Sequence, residues 1–219
     1  MDDFADFGPN DLLNCYANGI FPMSDSRDDP DVFFVDPEMR GIFNIGQMHI
    51  SKSLAKTVRS RRFDIRVNTA FEKVVDLCAQ SAPDRTETWI NPMIRKWYAA
   101  LHTLGHAHSL ECWQDCNLVG GLYGVSLRGG FFGESMFSRA NNASKTALVH
   151  LHGRLSAGGF TLLDTQFMTD HLRSLGAVEV SRAEYHKRLA KALNIQADFL
   201  PKQFDDSAFA KTVRATSKA

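Results

Sequence analysis

The sequence predicts a mixed α/β (α+β) fold, with a small N-terminal domain ahead of a larger domain whose mixed sheet is flanked by helices. Three observations predict it. From residue 62 onward, strand and helix patterns follow the order β-α-α-β-β-β-α-β-α-β-α. Three consecutive strand patterns between residues 107 and 137 are joined by short turns, which indicates antiparallel pairing. The first 48 residues are acidic and rich in loops, and they lack this alternation.

The first segment contains one helix and one strand. The helix begins near residue 10, where Asn10 or Asp11 is the predicted cap, and it ends at Gly19. Residues 24–31 form a loop, and residues 32–37 read as a brief apolar strand. We therefore expect residues 1–48 to form a small N-terminal domain and residues 49–219 to form the larger domain.

The larger domain starts with a helix, a strand and two further helices. Ser51 begins a helix with an apolar face, and residues 62–68 alternate between apolar and polar side chains, as a half-buried strand does. Thr69 and Glu72 have the spacing of a capping box for the next helix. Asn91 is the predicted cap of the helix that follows, with proline at the first helical position.

The remaining elements follow from the same patterns. Strands are predicted over residues 107–113, 117–127, 129–137, 159–166 and 177–180. Helices are predicted over residues 142–157, 169–176 and 181–193, the last behind a Ser181/Glu184 capping box. The polar, alanine-rich tail from about residue 195 is expected to fray.

Charge is balanced overall but unevenly distributed. The 219 residues carry 25 bases and 25 acids, so bulk charge implies no polyanionic partner. Residues 1–40 carry ten acids and two bases, whereas residues 52–66 carry six bases and one acid. A run of this kind is usually a solvated helix face, but its imbalance also fits contact with phosphate groups, and both interpretations stay open. The bases are Lys52, Lys56, Arg59, Arg61, Arg62 and Arg66.

Cysteine and histidine usage favours a cytoplasmic protein without a metal or cofactor. The four cysteines lack C-x-x-C spacing and are expected to be reduced thiols. The acidic start of the chain is unlike a signal peptide, and no apolar run approaches the length of a membrane span. His102 and His106 have the spacing of a helical metal pair, but Gly105 interrupts the helix between them.

Acidic residues stand near the ends of two apolar strands. Glu134 ends one predicted strand, just ahead of a helix start flanked by Arg139 and Lys145. Asp164 and Gln166 are two apart on a later strand, so we expect them to share one face. Buried acids are unfavourable unless they are paired, and two such strands favour a shared site.

Several blocks of the sequence resemble one family over nearly the whole chain. They are LLNCYANGIFPM, HAHSLECW, LVGGLYGV, GESMFSRANNASKTAL and LLDTQFMTDHLRSLGAVEVSRAEY, and together they resemble the leucyl/phenylalanyl-tRNA–protein transferases. The resemblance implies an enzyme that moves leucine or phenylalanine from aminoacyl-tRNA to a protein beginning with Arg or Lys, which marks that protein for degradation through the N-degron pathway. It also implies a larger domain similar to the GCN5-related N-acetyltransferases.

The resemblance implies roles for particular residues. Gln166 would draw the proton from the acceptor amine, and Asp164 would polarise Gln166. Gln166 could instead only position the amine. Glu134 would suit the cationic acceptor, and whether Glu134 or Asp164 holds the acceptor side chain stays open. The donor side-chain pocket would comprise Leu122, Met136, Leu151 and Leu155. The tRNA-binding residues would be Lys52, Lys56, Arg59, Arg61, Arg62, Arg139 and Lys145, with Phe33 or Phe34 against the terminal adenosine.

Two other functions are alternatives for this sequence. An acyl-CoA N-acetyltransferase would carry a glycine-containing pyrophosphate loop before the central helix, but residues 138–145 read SRANNASK and contain no glycine. A tRNA-binding protein without catalysis is the other alternative. We expect a monomer with no membrane association, and the sequence does not rank leucine, phenylalanine and methionine as donors.

Overall fold

A seven-stranded mixed sheet and a separate two-stranded sheet organise the chain. The computed structural model describes residues 6–80 and 88–216. The strands are β1 Phe21–Met23, β2 Phe33–Val35, β3 Met39–Phe43, β4 Asp64–Val67, β5 Ala107–Gln114, β6 Asn117–Leu127, β7 Gly130–Ser138, β8 Leu162–Gln166 and β9 Val178–Ser181. The helices are α1 Pro9–Ala17, α2 Lys52–Arg59, α3 Phe71–Cys78, α4 Pro92–Thr103, α5 Ala143–Ala157, α6 Asp170–Ser174, α7 Arg182–Ala192 and α8 Asp206–Thr212.

The large sheet has the order β4-β5-β6-β7-β8-β3-β9. Only β7 and β8 pair in parallel among the described strands, and α5 connects them as a crossover helix. Buried side chains from α1, α3, α4 and α7 form one hydrophobic core, and those from α2, α5, α6 and α8 form a second. The predicted mixed sheet flanked by helices is confirmed.

Side-chain caps fix where several helices begin. Ser51 accepts a hydrogen bond from the backbone N–H of Leu54, and Asn91 accepts one from Ile94, so the predicted helix start at Ser51 and the predicted cap Asn91 are confirmed. The predicted cap of α1 is wrong, because this helix begins directly after Gly8. The carboxylate of Asp11 instead accepts a hydrogen bond from the backbone N–H of Gly8 at 2.8 Å.

The predicted Thr69/Glu72 capping box is also wrong. The α3 helix begins at Phe71, and the start of the helix is held by a carboxylate from the neighbouring strand β5. Fully buried Glu111 accepts hydrogen bonds from the backbone N–H of Thr69 at 2.9 Å and of Ala70 at 2.8 Å, and also from the Thr69 hydroxyl. A partner 41 or 42 residues away replaces the local cap that the spacing suggested.

Strand β3 was not predicted, and it lies in the segment expected to form a separate small domain. It pairs antiparallel with β8 on one side and with β9 on the other. The register between β3 and β8 shifts at a bulge between Gly41 and Ile42. Five residues with a central glycine give no alternating pattern, so only the two partner strands define this element. Strand β1 was missed as well, and it pairs with the predicted strand β2.

The chain after residue 195 does not fray as expected. Residues 206–212 form α8, while residues 217–219 lie outside the described residues. The ring of Phe199 is buried and stacks on His108 at 4.0 Å. Phe209 of α8 packs directly over Gly153 of α5. The prediction failed because a few separated aromatic contacts, rather than a periodic pattern, hold this tail.

The four cysteines are free, as expected. Within the described ranges, no helix combines the length and the apolar character needed to cross a bilayer.

Strand β6 requires a glycine at its bulge, and this generates a stability prediction. A Cβ atom at Gly124 would lie 2.3 Å from the carbonyl oxygen of Phe132 and 2.5 Å from the ring of Phe131. We expect Gly124→Ala to lower the free energy of unfolding by about 1–3 kcal/mol, the usual range for overpacking. Gly130→Ala is the matched control, because its Cβ would meet its neighbours at an ordinary 3.4 Å. Equal urea midpoints for the two variants would contradict this prediction.

Candidate active site

A cavity of about 290 Å³ opens between strands β6, β7 and β8 and helices α5 and α6. Most of its wall is apolar, and a smaller part carries polar groups. The apolar side chains are Leu122, Met136, Leu148, Leu151, Leu163 and Leu172, and the aromatic ones are Trp89, Tyr123 and Phe167. The polar side chains include Glu134, Ser135, Thr165, Gln166, Thr169 and His171. A mainly apolar concave surface with a few polar groups is the usual form of a small-ligand site.

The cavity contains three of the four residues predicted for a donor side-chain pocket. Leu122, Met136 and Leu151 line it. Leu155 does not, because it lies one helical turn further along α5, where it is fully buried in the second core. Leu148, which was not predicted, takes part instead.

Glu134 is the one carboxylate among the described residues that line the cavity. It is 8% exposed and accepts three hydrogen bonds. The hydroxyl of Tyr16 donates to Oε1 at 2.7 Å, the hydroxyl of Tyr98 donates to Oε2 at 2.7 Å, and the amide of Gln166 donates to Oε2 at 2.9 Å. Burial raises the pKa of Glu134 to about 7, although these hydrogen bonds favour the charged form and oppose the rise.

The two tyrosines remain neutral donors to Glu134. Both are fully buried, and their hydroxyls lie 2.8 Å apart. Burial raises the pKa of Tyr16 and of Tyr98 well above the ordinary value, and the neighbouring Glu134 charge raises it further. Tyr16 comes from α1 and Tyr98 from α4, so two helices on one face of the sheet fix the orientation of the carboxylate.

Asp164 lies behind the cavity wall, in a buried ion pair. Its side chain is fully buried, and that of its partner Arg40 is 1% exposed. Arg40 donates from Nε to Oδ1 at 2.9 Å and from Nη2 to Oδ2 at 2.6 Å, a bidentate geometry. Tyr185 donates to Oδ2 at 2.8 Å, and the backbone N–H of Gln166 donates to Oδ1 at 2.8 Å. All four acceptor positions of the carboxylate are therefore occupied.

The environment of Arg40 matches that ion pair. Burial opposes its charge, but the Asp164 carboxylate outweighs burial and raises the pKa of Arg40. The guanidinium lies between the rings of Phe21 at 4.5 Å and Tyr185 at 4.4 Å, in cation–π contact with both. It also donates to the carbonyl of Gly19 at 3.0 Å.

Gln166 adopts a left-handed backbone conformation with φ of 63°. This conformation ends the regular alternation of β8, so the predicted shared face of Asp164 and Gln166 is wrong. Leu163 and Thr165 line the cavity, the side chain of Asp164 points away from it, and Gln166 turns back to reach Glu134. Gln166 contacts Asp164 through its backbone N–H and not through its side chain.

The residues predicted to bind tRNA lie outside this cavity. Lys52, Lys56 and Arg59 are exposed on α2, and Arg61 and Arg62 follow its end. Arg139 donates to the side chain of Gln80, and Lys145 lies in the first turn of α5. Of the two phenylalanines, Phe33 is 43% exposed, whereas Phe34 packs against both Phe7 and Trp97.

The sequence patterns do not indicate that four residues belong to the surroundings of the site: Tyr16, Tyr98, Arg40 and Tyr185. The tyrosines occupy core positions of amphipathic helices, where an aromatic residue is ordinary. Arg40 lies in the unpredicted strand β3. Only spatial proximity to the acids reveals what these side chains do.

Comparison with known proteins gives one family. The model described as leucyl/phenylalanyl-tRNA protein transferase matches residues 42–190, and the model of the N-terminal domain of that family matches residues 5–38. A leucyl/phenylalanyl-tRNA–protein transferase from Phenylobacterium zucineum (strain HLK1) is 60% identical over 195 residues, covering 89% of this chain and 88% of the relative. Another, from Maricaulis maris (strain MCS10), is 54% identical over 213 residues, covering 96% and 99%.

Solved structures are matched more loosely. The structure of L-PGS from Bacillus licheniformis matches with a TM-score of 0.40 and 11% identity, over 75% of this chain and 55% of that chain.

The family models and the close relatives agree along the chain. The chain therefore belongs to the leucyl/phenylalanyl-tRNA–protein transferase family, whose members are aminoacyltransferases.

Proposed function

We propose that this enzyme transfers leucine or phenylalanine from aminoacyl-tRNA to proteins whose first residue is Arg or Lys. The product would carry an N-terminus that directs the protein to degradation through the N-degron pathway. The observation that carries the proposal is the apolar cavity in which Glu134, with a pKa of about 7, is held beside Gln166. We further expect it to act as a monomer in the cytoplasm, to accept methionine as a donor as well, and to require no cofactor.

The acceptor binds at Glu134 rather than at Asp164 in this proposal. Asp164 has no acceptor position left, because Arg40, Tyr185 and the Gln166 backbone occupy all four. Within the described part of the chain, Oε1 of Glu134 accepts one hydrogen bond, from Tyr16, and Glu134 lines the cavity. The α-amino group of the acceptor and the second positive charge of an Arg or Lys side chain are both attracted to this buried carboxylate.

The amine becomes nucleophilic by losing a proton to its surroundings. An α-ammonium has a pKa of about 7.7–8.0, so a carboxylate with a pKa near 7 is well matched to accept its proton. Because Nε2 of Gln166 donates to Glu134, the oxygen of the same amide is oriented to accept a hydrogen bond from the amine. Gln166 thus positions the nucleophile, and Glu134 is the base.

The ester of the donor supplies the driving force. The amine nitrogen attacks the ester carbonyl carbon, the bond from that carbon to the ribose oxygen of the terminal adenosine breaks, and an amide bond forms. The proton taken by Glu134 passes to the departing ribose oxygen, so that the tRNA leaves with a free hydroxyl. The second proton, which the nitrogen loses as the amide forms, passes to the vacated Glu134 carboxylate and from there to water. The protein supplies proximity and proton transfer, which are the largest contributions that such an activated donor requires.

The function is tested directly with the full chain, labelled leucyl-tRNA and a peptide that begins with Arg. We expect label on the peptide, and none when its amine is acetylated. Gln166→Ala should lower kcat by about 100-fold, a typical loss when the attacking amine is no longer held in position. Exposed Gln203→Ala is the matched control and should keep wild-type rates. Transfer from acetyl-CoA alone, or tRNA binding without any transfer, would overturn the proposal in favour of an acetyltransferase or a binding protein.

The pKa of Glu134 predicts a specific pH dependence. Glu134 accepts a proton only when ionised, so its contribution is present above about pH 7 and declines as pH falls through that value. We expect the ratio of kcat/KM for the wild type to that for Glu134→Gln to be constant above about pH 8 and to decrease about tenfold per pH unit below pH 7. Taking the ratio removes the titration of the peptide amine. A ratio independent of pH from 6 to 9 would contradict the role of Glu134.

The apolar wall predicts donor selectivity. Met136 is half-buried on β7 beside Leu122, so Met136→Phe narrows the cavity and should reject a phenylalanyl donor more strongly than a leucyl donor. We expect the ratio of kcat/KM for phenylalanyl-tRNA to that for leucyl-tRNA to fall by about tenfold, as for a change of about one methylene in a pocket. Leu155→Met is the control, since Leu155 lies in the core and not on the cavity wall. An unchanged ratio in Met136→Phe would place the donor side chain elsewhere.

A further inference from the structure

A second cavity, of about 370 Å³, lies on the other side of helix α5 and is strongly polar. Residues from α2, the segment after it, α5 and α8 line this α2–α8 pocket. Thr146 and His150 of α5 face it, whereas Leu148 and Leu151 of the same helix face the candidate active site. Helix α5 thus separates a mainly apolar cavity from a polar one.

Two deeply buried polar side chains line the α2–α8 pocket. Thr146 is 2% exposed, and its hydroxyl has no hydrogen-bond partner within residues 6–80 and 88–216. His150 is also 2% exposed, and its Nδ1 lies 2.8 Å from Oδ1 of Asp206, which leaves Nε2 to face another group. A buried hydroxyl without a partner is unfavourable, and a bound ligand would supply that partner.

The charges around this pocket favour an anion. Arg61 and Arg62 line it, and neither forms an ion pair with a carboxylate of the described chain. Its two acids already have cationic or histidine partners: Asp64 pairs with Arg66 at 2.8 Å, and Asp206 pairs with Arg154 and contacts His150. A site with free guanidinium groups, a hydroxyl and an imidazole has the donors that a phosphate group requires.

We propose that the α2–α8 pocket binds one phosphate group of the donor tRNA and so anchors the nucleic acid while its aminoacyl end occupies the cavity across α5. This inference rests on the proposed function. It differs from general attraction by a basic surface, because a phosphate that enters the pocket accepts a hydrogen bond from buried Thr146 and not only from exposed side chains. The phosphate is either the terminal monoester at the 5′ end of the tRNA or an internal diester.

Two variants test the pocket. Thr146→Val removes the hydroxyl and keeps the β-branched shape, and Arg61→Asn removes the guanidinium with a residue that tolerates the left-handed backbone at φ of 52°. We expect each to raise KM for leucyl-tRNA by about tenfold, the usual effect of losing one hydrogen bond to a charged group, with little change in kcat. Both should retain the wild-type KM for phenylalanyl-adenosine, a short donor without the anchoring phosphate. Thermal unfolding verifies that both variants fold.

The controls separate this inference from the proposed function. Lys187→Gln removes one exposed positive charge on α7 and should not alter KM for either donor. If the terminal monoester is the ligand, 5′-dephosphorylated leucyl-tRNA should show the raised KM with wild-type enzyme and no further rise with the variants. If an internal diester is the ligand, dephosphorylation should have no effect while the variants still raise KM.

The inference is overturned if both folded variants bind leucyl-tRNA with the wild-type KM, or if KM for phenylalanyl-adenosine rises equally. A failure of the proposed function looks different, because transfer from both donors would then be absent in the wild type.

Discussion

The buried ion pair between Arg40 and Asp164 is the interaction on which the arrangement of the site depends. It joins β3 to β8 within the sheet, and through Tyr185 and the carbonyl of Gly19 it also fixes α7 and the end of α1. Removing either charge would leave the other buried without a partner, which typically destabilises a protein by about 3–5 kcal/mol. The remaining acceptor position of Asp164 holds the Gln166 backbone in its left-handed conformation.

Glu134 and Asp164, which are 30 residues apart in the chain, thus lie in contrasting electrostatic environments. Asp164 is paired with Arg40 and accepts four hydrogen bonds, so its role is structural. Glu134 has only neutral donors in the contacts described above, and burial moves its pKa to the range where proton transfer near neutral pH is effective. In the proposed mechanism the structural acid positions Gln166, and Gln166 orients the amine toward the reactive acid.

The sequence predicted the elements whose information is local. Periodic helices, the caps at Ser51 and Asn91 and the three-strand meander were predictable, because their determinants lie within a few residues of one another. Strand β3, the Glu111 cap and helix α8 were not predictable, because each depends on contacts with residues more than 30 positions away in the chain. At the site, the acids were predictable from strand ends, and Leu122, Met136 and Leu151 were expected from the family resemblance. The orientation of the Asp164 side chain away from the cavity was not predictable, because it depends on Arg40 and on the left-handed backbone conformation of Gln166.

The position of β3 has a consequence for how the protein is made. A strand ending at residue 43 is hydrogen-bonded between strands that begin at residues 162 and 178, so its neighbours emerge from the ribosome long after it does. At about 5–20 residues per second, the early segment must wait for seconds with Arg40 unpaired. Closure of the sheet is therefore a late, non-local step of folding, which topology makes slow. A nascent chain released before residue 181 would lack both the edge strand β9 and the Tyr185 hydroxyl that donates to Asp164, so the surroundings of the ion pair are completed only near the end of synthesis.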